Sequence, residues 1–248
     1  MIITETIADC AQIRLARGVT NALTTEVLQA LAEALDDAER QARGVLLCGG
    51  EKFFSNGADL GWALSQSSAG MREMFLAIGA CVLRMLESRL PIVGVIKGHA
   101  IGAGLALLTA CDYRYGARGR VLLGKPETLM GVPNPHFADQ LLRFIAGDFF
   151  ASDLIYSGRL ITAEDALTMH IMHGVADIDE VEALAWQQLL LLRDVPVAAF
   201  AESKHMRSAR LCAELREQMS ARVARQVEIW NSDEAQVRLR EAANRLAR

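Results

Sequence analysis

The stretch PIVGVIKGHAIGAGLALLTACDYR, residues 91 to 114, restricts the chain to a small group of folds. Its first part is a β-branched, apolar run bounded by Pro91 and Gly98, the pattern of a strand buried on both faces. It then bends through Gly102 and Gly104 straight into an apolar helical segment, 103 to 110. GVLLCGG, residues 44 to 50, is a second buried run closed by glycines. Strands covered on both faces require helices on either side, so these runs predict an α/β fold with parallel strands.

The flanking segments agree. AQIRL, 11 to 15, reads as a strand, and TTEVLQALAEALDDAER sets Leu28, Leu31 and Leu35 on one helical face behind Thr24 as a candidate cap. Helices are expected near 69–87, 136–146 and 163–170, with strand-like segments near 112–123. From about residue 179 nearly everything has helical periodicity, with Leu211, Leu215, Val223, Val227 and Trp230 as apolar positions. Two parts follow: an α/β core over 1–190 and a helical C-terminal region over 191–248.

With 248 residues, 52% of them hydrophobic, the chain can bury one substantial core. A net charge of −4 argues against nucleic acid as the main partner, because phosphate binding calls for a basic footprint. The five cysteines (10, 48, 81, 111 and 212) are widely spaced with no C-x-x-C pair, and read as buried hydrophobes of a reducing compartment. MIITETIADC has no basic segment of the signal-peptide kind, and no apolar run reaches bilayer length. A cytoplasmic protein with no membrane partner is expected.

The glycine bend could belong to a dinucleotide site, but GAGLAL lacks the third glycine of G-x-G-x-x-G. Its other chemical use is electrostatic. Unpaired N–H groups in a helix's first turn stabilise negative charge on an oxygen. FFSNGADLG, 53 to 61, also follows a strand and a turn, and Gly57 there exposes the N–H of Ala58. An isolated G-x-G reads first as close helix–strand packing, but two such donors from two loops are what an oxyanion hole needs.

FFSNGADL, PIVGVIKGHAIGAGLALLTACDYR and LLGKPETLMGVP together resemble the crotonase, or enoyl-CoA hydratase/isomerase, superfamily, over a stretch running from TNALTTEVLQAL to GRLITAEDALTMHIMHGVAD. The resemblance implies a ββα spiral core, a helical C-terminal segment that builds a trimer or dimer of trimers, and acyl-CoA thioester substrates. Coenzyme A is then part of the substrate, and no separate cofactor or metal is implied. The oxyanion N–H groups fall on Ala58 and Ala103, each donor contributing about 2.7–4 kcal/mol by analogy with other oxyanion holes. The adenine and pantetheine are expected against Ala22, Ser55, Asn56, Asp59 and Leu60, with Lys52, Arg14 and Arg17 as candidate phosphate partners.

Hydratases of this superfamily use two glutamates, and here their positions hold Ala106 and Glu127. One carboxylate suffices for a Δ3,Δ2-enoyl-CoA isomerase, which takes a proton from C2 and returns it at C4. The fifteen residues from Asp112 to Glu127 and the small residue at 106 match the peroxisomal-type isomerases. Isomerisation with Glu127 as base and acid is therefore the expectation. Weak hydration, another enolate reaction such as decarboxylation or C–C chemistry, and an idle acyl-CoA-binding scaffold are the alternatives. Glu127 sits in an apolar neighbourhood apart from Lys125, and its bland reading is a helix cap after Pro126.

Other side chains carry less. His170 and His173 lack a third metal ligand, His136 reads first as surface packing, with a lining residue of the acyl pocket or a second acid as the alternatives, and Asp59 reads as a loop-fixing acceptor. Met71, Met74, Phe75 and Met85 read as core or as an acyl tunnel, and Leu239 stands where many relatives place an aromatic residue over the CoA. G-x-S-x-G does not occur.

Overall fold

The structure is a computed structural model that describes residues 1–119 and 121–246. The chain opens with a hairpin of β1 (Ile2–Ile7) and β2 (Cys10–Leu15), followed by α1 (Thr25–Gln41). It then winds in turns of one plan. The first is β3 (Val45–Cys48), β4 (Phe53–Ser55), α2 (Leu60–Ala63) and α3 (Ser68–Glu87); the second is β5 (Ile92–Ile96), β6 (His99–Ile101) and α4 (Ala103–Thr109). The third is β7 (Tyr113–Ala117), β8 (Leu122–Gly124), a 3-10 turn over Pro126–Met130 and α5 (His136–Ser157). β9 (Leu160–Thr162), α6 (Ala163–Thr168) and β10 (Gly174–Ala176) close the spiral, and α7 (Val181–Arg193), α8 (Val197–Trp230) and α9 (Asp233–Leu246) follow.

Each turn gives its first strand to a large sheet, ordered β1-β2-β3-β5-β7-β10, and its second to a small sheet, ordered β4-β6-β8-β9. The large sheet is parallel apart from the β1–β2 hairpin, and the small one is parallel apart from β8–β9. β3 and β5 are buried at every position, as a parallel strand covered on both faces must be. α1 turns Leu28, Leu31 and Leu35 inward; Thr24 stands at its N-cap without a side-chain capping bond.

Three features depart from expectation. β1 is an exposed edge strand, so no buried run marks it. β4, β6, β9 and β10 are each three residues long, too short to show a period. α5 continues to Ser157, past Gly147, whose φ of 78° and ψ of 165° break the helix before it resumes. The cysteines are free and buried, and burial pushes the Cys81 and Cys111 thiols up to about 12. No described helix is long and apolar enough to cross a membrane.

The helices beyond residue 190 turn back on the chain itself. α8 packs along α3 and α5, while α9 meets α2 and the 3-10 turn. Leu211, Leu215, Val223, Val227 and Trp230 join the same apolar cluster as the sheets. An ion pair between buried Lys204 and half-buried Asp112 pins α8 to the large sheet: Lys204 Nζ lies 2.8 Å from Asp112 Oδ2, which also accepts the Ile92 N–H at 2.8 Å. Removing one partner strands the other charge. Lys204→Met is therefore expected to cost about 3–5 kcal/mol in urea unfolding, and adding Asp112→Asn to recover part of that loss.

Candidate active site

β4, β6 and β8 are adjacent parallel strands of the small sheet, so their carboxyl ends lie side by side. The chain leaving those ends delivers Ala58, Ala103 and Glu127 to one cavity of about 580 Å³. All three residues expected to carry the chemistry thus line a single space, each from the same point of a successive turn.

The local backbone explains the glycines. Gly102, with φ of 57° and ψ of −122°, turns the chain from β6 into α4 through a conformation that side-chain-bearing residues rarely adopt. Gly104 serves close approach: a Cβ there would stand 2.4 Å from the Ser55 carbonyl oxygen. The two donor loops touch, because a Cβ on Gly57 would meet Ala103 N at 3.1 Å. Around Ala58, the Leu23 N–H donates to Gly57 O at 2.7 Å and the Asp59 N–H to Leu23 O at 2.9 Å. Those bonds hold the Ala58 peptide while its own N–H, like that of Ala103 at the start of α4, has no acceptor among the described residues. The opening of a short helix beside a second free N–H can hold negative charge on one oxygen.

Glu127 sits at the start of the 3-10 turn and is buried. Its Oε1 pairs with Lys125 Nζ at 2.9 Å, while its Oε2 has no hydrogen-bond partner. It caps no helix with its side chain. Glu127 is the one acidic residue among the described residues lining the cavity. Ala106 is buried in α4 and does not reach the lining. The remaining wall is largely apolar, with Phe75 and Ile78 from α3, Leu129 and Met130 from the 3-10 turn, and Trp230 from α8. The Phe75 and Trp230 rings meet edge to face, 5.9 Å between centroids.

The loop residues divide. Asn56 and Leu60 line the cavity, whereas Ser55 is fully buried, donating to Asn21 O at 2.8 Å and accepting the Gly57 N–H at 3.1 Å. Ser55 therefore shapes the loop and presents no hydroxyl to a ligand; Ala22 is likewise largely buried. Asp59 caps α2 by accepting the Trp62 N–H at 3.1 Å, and Arg17 Nη1 holds it at 2.8 Å. Burial works to raise the Asp59 carboxyl, but the hydrogen bond from Arg17 and that from Trp62 outweigh it and keep it below its usual range. Arg17 also donates to Ala22 O, and Arg14 is engaged with Gly49 O and Glu182. Of the three candidate phosphate partners only Lys52 is exposed with no ion pair among the described residues.

Several other candidates lie elsewhere. Met71, Met74 and Met85 are core, leaving Phe75 alone of that group at the cavity. His136 points toward Glu214, Nε2 to Oε1 3.9 Å, and lines no part of this space. His173 accepts the Arg114 N–H through Nδ1, and no group of three or more metal-ligating side chains occurs among the described residues. Leu239 is buried in α9, while Ala242 and Arg245 of that helix line the cavity; periodicity alone did not point to this contribution. Because Arg17 ties Ala22 and Asp59 together, Arg17→Ala is expected to loosen the 55–63 segment by about 1 kcal/mol, read as roughly fivefold faster amide exchange at Trp62 and Ala63.

The family model for enoyl-CoA hydratase/isomerase matches residues 5–245. The chain is 34% identical over 174 residues to the human peroxisomal bifunctional enzyme, covering 69% of this chain and 23% of that protein, so it spans about a quarter of that relative's length. It is 31% identical over 236 residues to a probable enoyl-CoA hydratase of Mycolicibacterium paratuberculosis, 91% of this chain and 88% of that one. Among solved structures, human mitochondrial Δ3-Δ2-enoyl-CoA isomerase superposes with a TM-score of 0.95 at 26% identity, over 99% of this chain and 98% of that one. An enoyl-CoA hydratase from Bacillus halodurans superposes with 0.89 at 25%, over 97% and 99%. By sequence, fold and the extent of both, the chain belongs to the enoyl-CoA hydratase/isomerase family.

Proposed function

We propose that the protein isomerises 3-enoyl-CoA thioesters to 2-trans-enoyl-CoA thioesters. The observation that carries this reading is the single carboxylate of the cavity, Glu127, with Oε2 unpartnered and no second acid at Ala106. Hydration needs water held and activated, for which relatives of the two-glutamate kind use both acids. Isomerisation needs one group that accepts a proton and gives it back.

In the proposed reaction the thioester oxygen accepts hydrogen bonds from the Ala58 and Ala103 N–H groups. Glu127 Oε2 takes a proton from C2, and the C2–H electron pair moves into a dienolate whose charge rests on the held oxygen. The same Oε2 then returns the proton to C4 as the double bond settles between C2 and C3. A positioned base of this kind contributes about 10²–10⁴ in rate, and each oxyanion donor about 10²–10³ in kcat. Phe75, Ile78 and Trp230 supply apolar surface for the acyl chain.

Turnover of 3-hexenoyl-CoA and of crotonyl-CoA separates the possibilities, because conjugation raises the thioester absorbance and hydration lowers it. Wild-type protein is expected to isomerise the first and hydrate the second poorly, and Glu127→Gln to lose isomerisation by about 10²–10⁴-fold. Robust hydration of crotonyl-CoA by the wild type would overturn the isomerase reading. Tight CoA binding with no turnover of either would favour the idle scaffold.

A further inference from the structure

Behind the cavity wall stands a buried cation that the proposed reaction does not use. Lys125 is 2% exposed and does not line the cavity. Its ammonium donates to Gly102 O at 3.0 Å and pairs with Glu127 Oε1 at 2.9 Å. Taking two charges out of water is costly, and a buried ion pair is often no more stable than an apolar pair of similar volume, whereas removing one partner alone strands the other. Lys125 is thus tied to the presence of Glu127, and stability alone gives no reason for the pair.

The two contacts do give one. Gly102 C=O and Ala103 N–H belong to one peptide group, so a cation on the oxygen draws electron density from it and strengthens the N–H as a donor. The same ammonium occupies Oε1 and leaves Oε2 as the carboxylate oxygen without a partner. Resting on the reading that Glu127 is the base and that Ala58 and Ala103 hold the enolate oxygen, we propose that Lys125 is a positioning residue coupling the base to the oxyanion hole. As the proton passes from C2 to Oε2, negative charge leaves the carboxylate and appears on the thioester oxygen. Lys125 bonds directly to the first of these and, through one peptide, to the group that holds the second. The charge moves around a fixed cation instead of away from it, so little of the surroundings must reorganise.

The test reads turnover and the hole separately. Acetoacetyl-CoA ionises to an enolate with its own near-ultraviolet absorbance, and the fraction ionised when bound reports how well the hole holds negative charge without any turnover. Lys125→Met is expected to lower kcat for 3-hexenoyl-CoA by about 10- to 100-fold with KM changed less than about threefold, and to reduce the bound enolate fraction. Lys125→Arg, which keeps the charge, should restore most of both. If Lys125→Met fails to fold with a stranded carboxylate, Glu127→Gln and Glu127→Gln/Lys125→Met are compared instead, and the enolate fraction should fall from the first to the second. An unchanged enolate fraction on loss of the charge would overturn the proposal, as would a wild-type complex with no enolate signal. A wild type that forms the enolate but isomerises no thioester would overturn the isomerase reading alone, and the enolate comparison would still decide the role of Lys125.

Discussion

The site depends on a contact that admits only glycine. At Gly104 the first turn of α4 lies so close to β4 that a Cβ would stand 2.4 Å from the Ser55 carbonyl. This approach brings the start of α4 against the loop carrying Ala58, and the parallel pairing of β4, β6 and β8 places Glu127 beside them. Displacing α4 outward would separate the two N–H groups, and no side-chain adjustment could reunite them. Two N–H groups serve one oxygen only within hydrogen-bond distances, so their mutual geometry tolerates little error.

Much of this was legible in the sequence, for definable reasons. The β-branched run at 92–96 and the glycines at 102 and 104 report local requirements, a buried strand and a tight bend, that any fold containing them must meet. Glu127 was singled out by the resemblance of LLGKPETLMGVP to the superfamily; in isolation an acid just after Pro126 reads as a cap. The hairpin partner β1 was not legible, because an exposed edge strand carries no core signal and its turn uses Ala8 and Asp9 at positive φ in place of glycine. The division of labour among Arg14, Arg17 and Lys52 depends on partners up to 168 residues away in sequence, Arg14 with Glu182 and Arg17 with Asp59 among them. The second contact of Lys125, across 23 residues to Gly102, is invisible for the same reason.

The C-terminal helices show a different limit. Their apolar stripe was evident, but periodicity identifies a face without naming what it covers. In the structure that face meets α3 and α5 of the same chain, and Trp230 completes the cavity with Phe75. The ion pair of Lys204 and Asp112 sets where α8 rests, tying a helix far along the chain to the residue that precedes β7.

Two of the three groups brought together at the small sheet's edge are main-chain N–H groups, and the third is a side chain. Substitution at Ala58 or Ala103 by any residue other than proline leaves those donors chemically intact, so they are largely indifferent to mutational drift. The carboxylate has no such protection, since a single codon change adds, moves or removes it. On the proposed reading, a lineage built on this scaffold can exchange one reaction for another while retaining the half of the machinery that accommodates negative charge, and variation between relatives is expected to concentrate on the acids and not on the frame that surrounds them.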